Sequence, residues 1–429
     1  MEIARALPPA STGITPARDR MFSVVMLVGW AVVTIVQQWN AWCEDLSAVY
    51  IAGWLWQNGQ GGLIYDAPAA FFGGVAESWL PAMKALGIAH QNSFAYVYPP
   101  LWAVLTAPLT AMLGPEGFFN AVGLVQFPLL AASVWLAGRL LKPAYLPWWI
   151  WTAIGLVTLN LTIQSHLAVW HNQPTITVGF LTLLAFERLG AGRPVAGGIA
   201  LALAAAIKLT PAALVLLFLV DRQWRAALAF GIAGGALGIG SILLAGWPAH
   251  AAFLASLAHV KGLGFLIAIN TSVLPALLAA GSALGLLPAV DPAAPQHIYT
   301  DLPVWLPPAI SLAGLCLILA FARVLAPLPG AARRGIGLFA FSLILALFGP
   351  LGWLHYYVLP MLLLPGLLGL LPIRPAMVLI SVPSLLSLAP VFAQIGDLPW
   401  PIADYTWAMC AVWGAVLAGL FAAALRARL

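Results

Sequence analysis

The stretch MFSVVMLVGWAVVTIVQQWNAWCED, residues 21–45, decides the class of fold. Its segment from Met21 to Trp39 is almost entirely apolar, and a membrane-spanning helix needs about 20 such residues. The segment is longer than the core of a secretory signal, and no small-residue cleavage site follows it. We therefore expect an uncleaved first span, after which Glu44 and Asp45 emerge from the membrane.

The rest of the chain has the composition of an integral membrane protein. Of its 429 residues, 62% are hydrophobic and 7% are charged, whereas soluble domains carry about 25% charged residues. A soluble enzyme, a disordered regulator and a nucleic-acid-binding protein are excluded, although the net charge is +5. The three cysteines are far apart in sequence, which indicates neither a disulfide framework nor a zinc site.

The distribution of charge predicts the orientation. Short loops rich in Lys and Arg face the cytoplasm, and 15 of the 18 basic residues form seven clusters that we place on that side. Nine of the 13 acids and all seven histidines then lie on the outer side. The clusters are Arg5/Arg18/Arg20, Arg139/Lys142, Arg188/Arg193, Arg222/Arg225, Arg323/Arg333/Arg334, Arg374 and Arg426/Arg428.

This charge pattern predicts an all-α polytopic helical bundle with about 12 transmembrane helices and both termini inside. The predicted spans are 22–40, 118–138, 148–165, 173–187, 195–208, 211–220, 226–245, 304–322, 336–349, 355–371, 376–393 and 406–425. Two shorter apolar stretches, Pro99–Leu113 and Ser272–Leu287, are expected to be interfacial or re-entrant helices on the outer face.

The predicted domain is single and covers residues 1–429. Residues 22–245 form the expected catalytic module, which includes a long outer segment at 41–117, and residues 246–429 add a second outer segment at 246–303 and the C-terminal helices. The inner loops have about ten residues or fewer, whereas a strand-helix-strand unit takes about thirty or more, so they are too short for a nucleotide-binding domain. We therefore expect the chemistry on the outer face.

Several polar groups stand out against this apolar background, each with two possible roles. Glu44 and Asp45 can supply a general base or simply face water at the end of a span. Tyr98 precedes Pro99-Pro100, which fixes an extended chain and then starts a helix; interfacial aromatics are also ordinary belt residues. His171, Asn172 and Gln173, with His166 and Trp170 nearby, can bind a sugar or acceptor, or cap helix ends.

Three further groups carry the same ambiguity. Lys208 puts an ammonium between two short apolar helices, where it can hold an anion such as a phosphate or snorkel to the outer water. Asn270-Thr271-Ser272 precedes the second interfacial helix, with Thr271 or Ser272 as its cap. His355, which Tyr356 follows, can point into a cavity or serve as a structural histidine.

Together these features resemble the GT-C superfamily of membrane glycosyltransferases, and most closely glycosyltransferase family 87, the polyprenyl-phosphate-mannose-dependent mannosyltransferases. Four features carry the resemblance: Asp45 after the first span, Tyr98-Pro99-Pro100-Leu101, Lys208-Leu209-Thr210-Pro211 and Asn270-Thr271-Ser272. The chain departs from the family at two places. Where members often have Gly-Gln-x-Asn, this chain has His171-Asn172-Gln173-Pro174, and where members have Asn-Gln-Ser, it has Asn270-Thr271-Ser272.

The resemblance implies inverting transfer of a hexose, with mannose favoured, from a polyprenyl-phosphate donor to a glycolipid or glycan acceptor. It implies Asp45 as the base, Lys208 with His355 or His171 at the phosphate, no metal and no cofactor. The expected location is the bacterial inner membrane, with the site on its periplasmic face. The residues that we expect to bind substrate are Glu44, Lys208, His171, Asn172, Gln173, Tyr98, Asn270, His355 and Tyr356.

A transporter or flippase for lipid-linked or small polar substrates is the main alternative, and a scaffolding protein is a second. Transporters usually have paired halves with corresponding broken helices, and this sequence shows no such symmetry. A scaffold would leave Lys208 and the acid pair without a role.

Overall fold

The computed structural model describes residues 15–68, 71–287, 297–299, 302–397 and 402–427. Two members of the predicted basic clusters, Arg5 and Arg428, lie outside these residues, as do parts of both outer segments. The described part of the chain is mainly helical, and its named strands form one short antiparallel ribbon, in which β1 (Gly264–Leu266) pairs with β2 (His297–Tyr299). The predicted all-α fold class is therefore confirmed.

The helices follow one another with short connections, several of them 3-10 turns. Their bounds are α1 Pro16–Gln37, α2 Glu44–Gln57, α3 Leu80–Ala85, α4 Pro100–Met112, α5 Pro115–Leu141, α6 Trp148–Leu161, α7 Ile163–Trp170, α8 Thr175–Gly190, α9 Pro194–Ile207, α10 Val215–Val220, α11 Trp224–Gly262, α12 Val273–Ala283, α13 Leu306–Leu325, α14 Gly330–Phe348, α15 Val358–Leu363, α16 Leu367–Leu370, α17 Ile373–Leu386, α18 Ala389–Asp397 and α19 Ile402–Arg426.

Six of the described helices are long and apolar enough to cross a membrane: α1, α5, α11, α13, α14 and α19. The other predicted spans coincide with shorter apolar helices or with helices joined through 3-10 turns, such as the run Leu354–Leu370. A multi-pass membrane protein is thus supported, while the number of twelve spans stays a prediction.

A proline and a small polar residue mark where two helices of the outer segments begin. Pro100 begins α4 and Ser272 precedes α12, so both predicted interfacial helices are present with closely matching bounds. The sequence did not predict α2, which begins at Glu44. Nine of its fourteen residues are buried, and it lacks the one-sided apolar stripe of a surface helix.

Helix α11 continues beyond the predicted end of its span. The sequence suggested an outer loop from residue 246, but the helix resumes after a kink and ends at Gly262. At the kink Gly246 has φ 76° and ψ 160°, a conformation open to glycine alone, and Pro248 follows. The imidazole of His250 bonds both the Ser241 hydroxyl and the Gly246 carbonyl, at 2.9 and 2.8 Å, and so joins the two halves of the helix.

Four loops with predicted inner basic clusters are joined in pairs by ion pairs, and we call the end of the bundle where they lie the basic end. Glu187, at the end of α8, pairs with Arg139 of α5 at 3.2 Å and with its neighbour Arg188. Asp221, after α10, lies between Arg333 and Arg334 of α14 at 3.1 and 3.0 Å. These contacts agree with the charge-derived prediction that the loops share one side. Helices that start there, such as α9, carry the chain to the opposite end.

Candidate active site

Asp45 lies in the first turn of α2, where the helix dipole favours negative side chains. The helix is held firmly against α4: a Cβ atom on Gly53 would come within 2.8 Å of the Thr106 side chain, so glycine is needed for this close approach. The candidate base therefore lies on α2, a helix that is closely packed against α4.

The side-chain amide of Gln173 links Asp45 to Lys208. Gln173 is buried in the turn between α7 and α8. Its Nε2 donates to Asp45 Oδ2 at 2.5 Å, and its Oε1 accepts from Lys208 Nζ at 3.3 Å. A carboxylate can only accept and an ammonium can only donate, so this amide has a single consistent orientation. Because one planar amide spans the gap, the two charged groups lie within about 8 Å of each other.

Lys208 occupies the break between α9 and the following 3-10 turn. Its ammonium also donates to Thr175 Oγ1 at 2.7 Å, and it lies 5.6 Å from the ring centre of Tyr98 and 4.7 Å from that of Tyr356. Ring faces at these distances attract a cation. The ammonium is thus held by two oxygens and two rings at the end of the bundle opposite the basic end.

Tyr98 lies in an extended segment just before α4. Its hydroxyl donates to Gln173 Oε1 at 3.2 Å, and its carbonyl accepts from the Tyr65 hydroxyl at 2.8 Å. Burial, together with the nearby Asp45 carboxylate, raises the pKa of Tyr98 well above its ordinary value. The phenol therefore stays protonated and keeps donating to Gln173.

Two histidines, His355 and His171, interact electrostatically with each other, and His355 also interacts with Lys208. The ring of His355 contacts that of Tyr356 at 4.7 Å. The buried atoms Nε2 of His355 and Nδ1 of His171 have no hydrogen-bond partner in the described part of the chain. His171 stacks on the half-exposed Trp170 at 4.9 Å. Of the two imidazole nitrogens without a partner among the described residues, the one of His355 belongs to a ring that interacts with the cation.

The structure gives two other predicted residues different surroundings. Asn172 has φ 46°, accepts from Gln126 Nε2 at 3.0 Å and donates to the Phe119 carbonyl at 2.9 Å. Asn270 donates to the Phe265 carbonyl and accepts from the Gly352 amide, both at 2.9 Å. Both side chains are buried and hydrogen-bonded to protein groups in these networks.

Two further residues, Glu44 and Thr175, adjoin the candidate site. The Glu44 carboxylate is half-buried beside Asp45 and makes no hydrogen bond or ion pair with the residues that the structure describes. Thr175 contacts Lys208 and was missed by the sequence analysis; its place directly after Pro174, at the start of α8, was the available signal. Within the described ranges, no group of three or more His, Cys, Asp or Glu side chains is placed to hold a metal ion.

The fold defines a polytopic helical membrane protein in which Asp45 and Lys208 come together at the end opposite the basic end. The sequence profile of glycosyltransferase family 87 matches residues 96–355, more than half of the chain. The chain therefore belongs to glycosyltransferase family 87, as the sequence features indicated, and is a membrane glycosyltransferase. Tyr98, Gln173, Lys208 and His355 fall within the match, and Asp45 precedes it. No curated protein and no solved structure matches the chain. Neither the fold nor the family supports the transporter alternative.

Proposed function

We propose that the protein transfers a hexose, with mannose favoured, from a polyprenyl-phosphate donor to a hydroxyl of a glycolipid or glycan, with inversion. The observation that carries the proposal is the Gln173 amide that joins Asp45 to Lys208. A general base and a cation for a leaving phosphate are the two groups that such a displacement needs.

In the proposed reaction the acceptor oxygen attacks the anomeric carbon while Asp45 takes its proton. The bond from this carbon to the phosphate oxygen breaks, and its electron pair leaves with the polyprenyl phosphate. In inverting glycosidases the two catalytic carboxyl groups are about 6.5 to 9.5 Å apart, which leaves room for the attacking oxygen. The separation of Asp45 and Lys208, within about 8 Å by the bridging amide, suits a sugar that lies across Gln173.

The anionic product is proposed to be held by Lys208, assisted by His171 and His355. Support comes from the unpartnered nitrogens of the two imidazoles, each of which can donate to a phosphate oxygen in the neutral tautomer that carries its hydrogen on that nitrogen. A phosphate is already a good leaving group, so a cation serves this step better than a second carboxylic acid. Glu44 would bind an acceptor hydroxyl or influence Asp45 by its like charge.

The membrane would hold the lipid-linked donor, and the distribution of charged loops indicates the side of the membrane on which the site lies. A polyprenyl chain would lie in the bilayer against the apolar helices, which leaves its phosphate at the site. The site lies opposite the basic end, and basic loops face the cytoplasm. We therefore place the reaction on the periplasmic face of the bacterial inner membrane, as a step in making the cell envelope.

The test is transfer by purified protein in lipid nanodiscs, with radiolabelled polyprenyl-phosphate mannose as the donor and an extract of bacterial membrane lipids as the acceptor. Wild type should form a labelled lipid. Asp45→Asn should fold but lose at least about 100-fold in rate, the usual contribution of a general base. The matched control is Glu116→Gln, which alters an exposed acid in the first turn of α5 and should leave the rate unchanged. Transfer by Asp45→Asn at the wild-type rate would contradict the base assignment.

A further inference from the structure

The two oxygens of the Asp45 carboxylate have different surroundings. Oδ2 accepts the Gln173 amide hydrogen bond, and Oδ1 has no hydrogen-bond partner in the portion of the chain that the structure describes. A carboxylate that takes a proton needs one oxygen with a free lone pair directed at the substrate. Oδ2 has one lone pair in the Gln173 hydrogen bond, whereas Oδ1 has both lone pairs free of donors from the described residues, so Oδ1 is the better placed of the two to take a proton.

Gln173 is itself held in place from several sides. Its Oε1 accepts from the hydroxyls of Tyr98 and Thr175, both at 3.2 Å, and from Lys208 and the Thr175 amide, both at 3.3 Å. Its backbone amide donates to the Ala168 carbonyl at 2.9 Å. Because these four side-chain and backbone donors all bond to Oε1, the NH2 group of the Gln173 side chain faces Asp45.

We propose that Gln173 is a positioning residue for Asp45, a role that rests on the proposed function. Its amide occupies Oδ2 and leaves Oδ1 to face the acceptor hydroxyl. Because the same amide accepts from Lys208, it fixes the base relative to the cation that receives the leaving phosphate. A neutral amide does both without adding a charge to the site.

The charged and titratable groups that face Asp45 define what the test must keep constant. Cys43 and Glu44 adjoin it in the chain. Lys208, Tyr98 and Tyr356 face it from other elements, and each interacts with its charge. Variants at Gln173 change none of these residues, so a change in the protonation of Asp45 reports the side chain at position 173 together with its hydrogen bonds to Asp45, Lys208 and Tyr98.

The experiment measures protonation of Asp45 without any substrate. Dicyclohexylcarbodiimide reacts with protonated carboxyls in apolar surroundings, and mass spectrometry gives the extent of labelling at Asp45 against pH. Gln173→Glu puts a second carboxylate against Oδ2, so the labelling midpoint should rise by at least one pH unit, a tenfold change in proton affinity. Gln173→Met removes the donor but keeps the shape, and its midpoint should rise by a smaller amount.

Gln164→Glu is the matched control. Gln164 is a buried glutamine of α7 whose amide bonds Ser387, so its replacement should leave the midpoint at Asp45 unchanged. Size-exclusion chromatography establishes folding, and Gln173→Met serves if Gln173→Glu does not fold. In the transfer assay, both Gln173 variants should lose kcat by 10-fold or more, and Gln173→Glu should shift the acid limb of the pH profile upward.

An unchanged midpoint in the folded Gln173 variants would overturn the positioning role, even if wild type transfers sugar and Asp45→Asn does not. Shifted midpoints in a protein that transfers no sugar would instead leave the effect of Gln173 on Asp45 standing and remove the proposed function. The two failures are therefore distinguishable.

Discussion

The ammonium of Lys208 lies 4.7 Å from the centre of the Tyr356 ring. This contact joins the turn after α9 to the 3-10 turn before α15, which lie in the two parts of the chain that the sequence analysis separated at residue 245. The candidate site thus takes side chains from both parts, and we expect neither part alone to bind the donor.

Removing the cation should affect departure of the phosphate. Lys208→Met keeps most of the apolar stem but removes the charge, so kcat for transfer should fall by about 100- to 1,000-fold, as for other electrostatic groups that act on a developing anion. Steady-state kinetics with labelled donor measure the effect. A kcat within threefold of wild type would show that the phosphate is held elsewhere.

The ring of Tyr356, rather than its hydroxyl, should matter for Lys208. Tyr356→Phe keeps the face that the ammonium contacts, whereas Tyr356→Leu removes it. A cation–π contact contributes about 0.5 to 2 kcal/mol, so we expect roughly 2- to 30-fold weaker donor binding in Tyr356→Leu and little change in Tyr356→Phe. Equal losses in both variants would instead point to the hydroxyl.

Asn172 should contribute to stability more than to substrate binding. Asn172→Ala leaves the Phe119 carbonyl without the Asn172 amide and removes one of the two hydrogen bonds that Gln126 Nε2 donates to residue 172, which costs about 1 to 3 kcal/mol. The left-handed backbone at this position adds about 1 to 2 kcal/mol of strain. Thermal unfolding in detergent should show the loss, while the KM values of the remaining folded enzyme stay unchanged. A raised acceptor KM without a loss of stability would return Asn172 to the substrate site.

Asp221 should stabilise the basic end. It is buried between Arg333 and Arg334, and removing one partner of a buried ion pair typically costs about 3 to 5 kcal/mol because the remaining charges stay unpaired. Asp221→Asn should therefore lower the unfolding temperature markedly. Glu116→Gln, at an exposed position, provides the comparison and should unfold at the same temperature as wild type.

Cys43 should be unreactive at neutral pH although it lies two residues before the candidate base. Burial, and secondarily the Asp45 charge, raises the pKa of the Cys43 thiol to about 12. The reactive thiolate is therefore nearly absent at pH 8, since it forms only as the pH approaches the raised pKa. N-ethylmaleimide followed by mass spectrometry should leave Cys43 unmodified in the folded protein and label it after denaturation. Rapid labelling before denaturation would contradict this environment.

Much of the fold was predictable because it follows from local sequence. Long apolar runs between basic clusters predicted the helices, and Pro100 and Ser272 marked where α4 and α12 begin. Helix α2 was not predictable in this way, because its buried residues cover most of its surface and leave no periodic pattern. The continuation of α11 past Gly246 was missed because Gly and Pro ordinarily signal a loop.

The members of the site were more predictable than their roles. A charge between apolar helices and an acid at the end of a span stand out in sequence, so Lys208 and Asp45 were found. The link between them depends on Gln173, which is 128 residues from Asp45, and only the tertiary fold determines that its amide reaches both. For the same reason the sequence could not separate Gln173 from Asn172, its neighbour, whose side chain enters a different network.

The arginine-clamped acids Glu187 and Asp221 tie helix ends together on the side of the molecule away from the chemistry. If the proposed site is correct, assembly and catalysis draw on separate sets of side chains. The residues around the acceptor site can therefore differ between relatives without weakening the ion pairs that join these helix ends. A chimera that exchanges outer segments within the family should therefore still be recovered from the membrane as an intact protein, even where it glycosylates a new molecule.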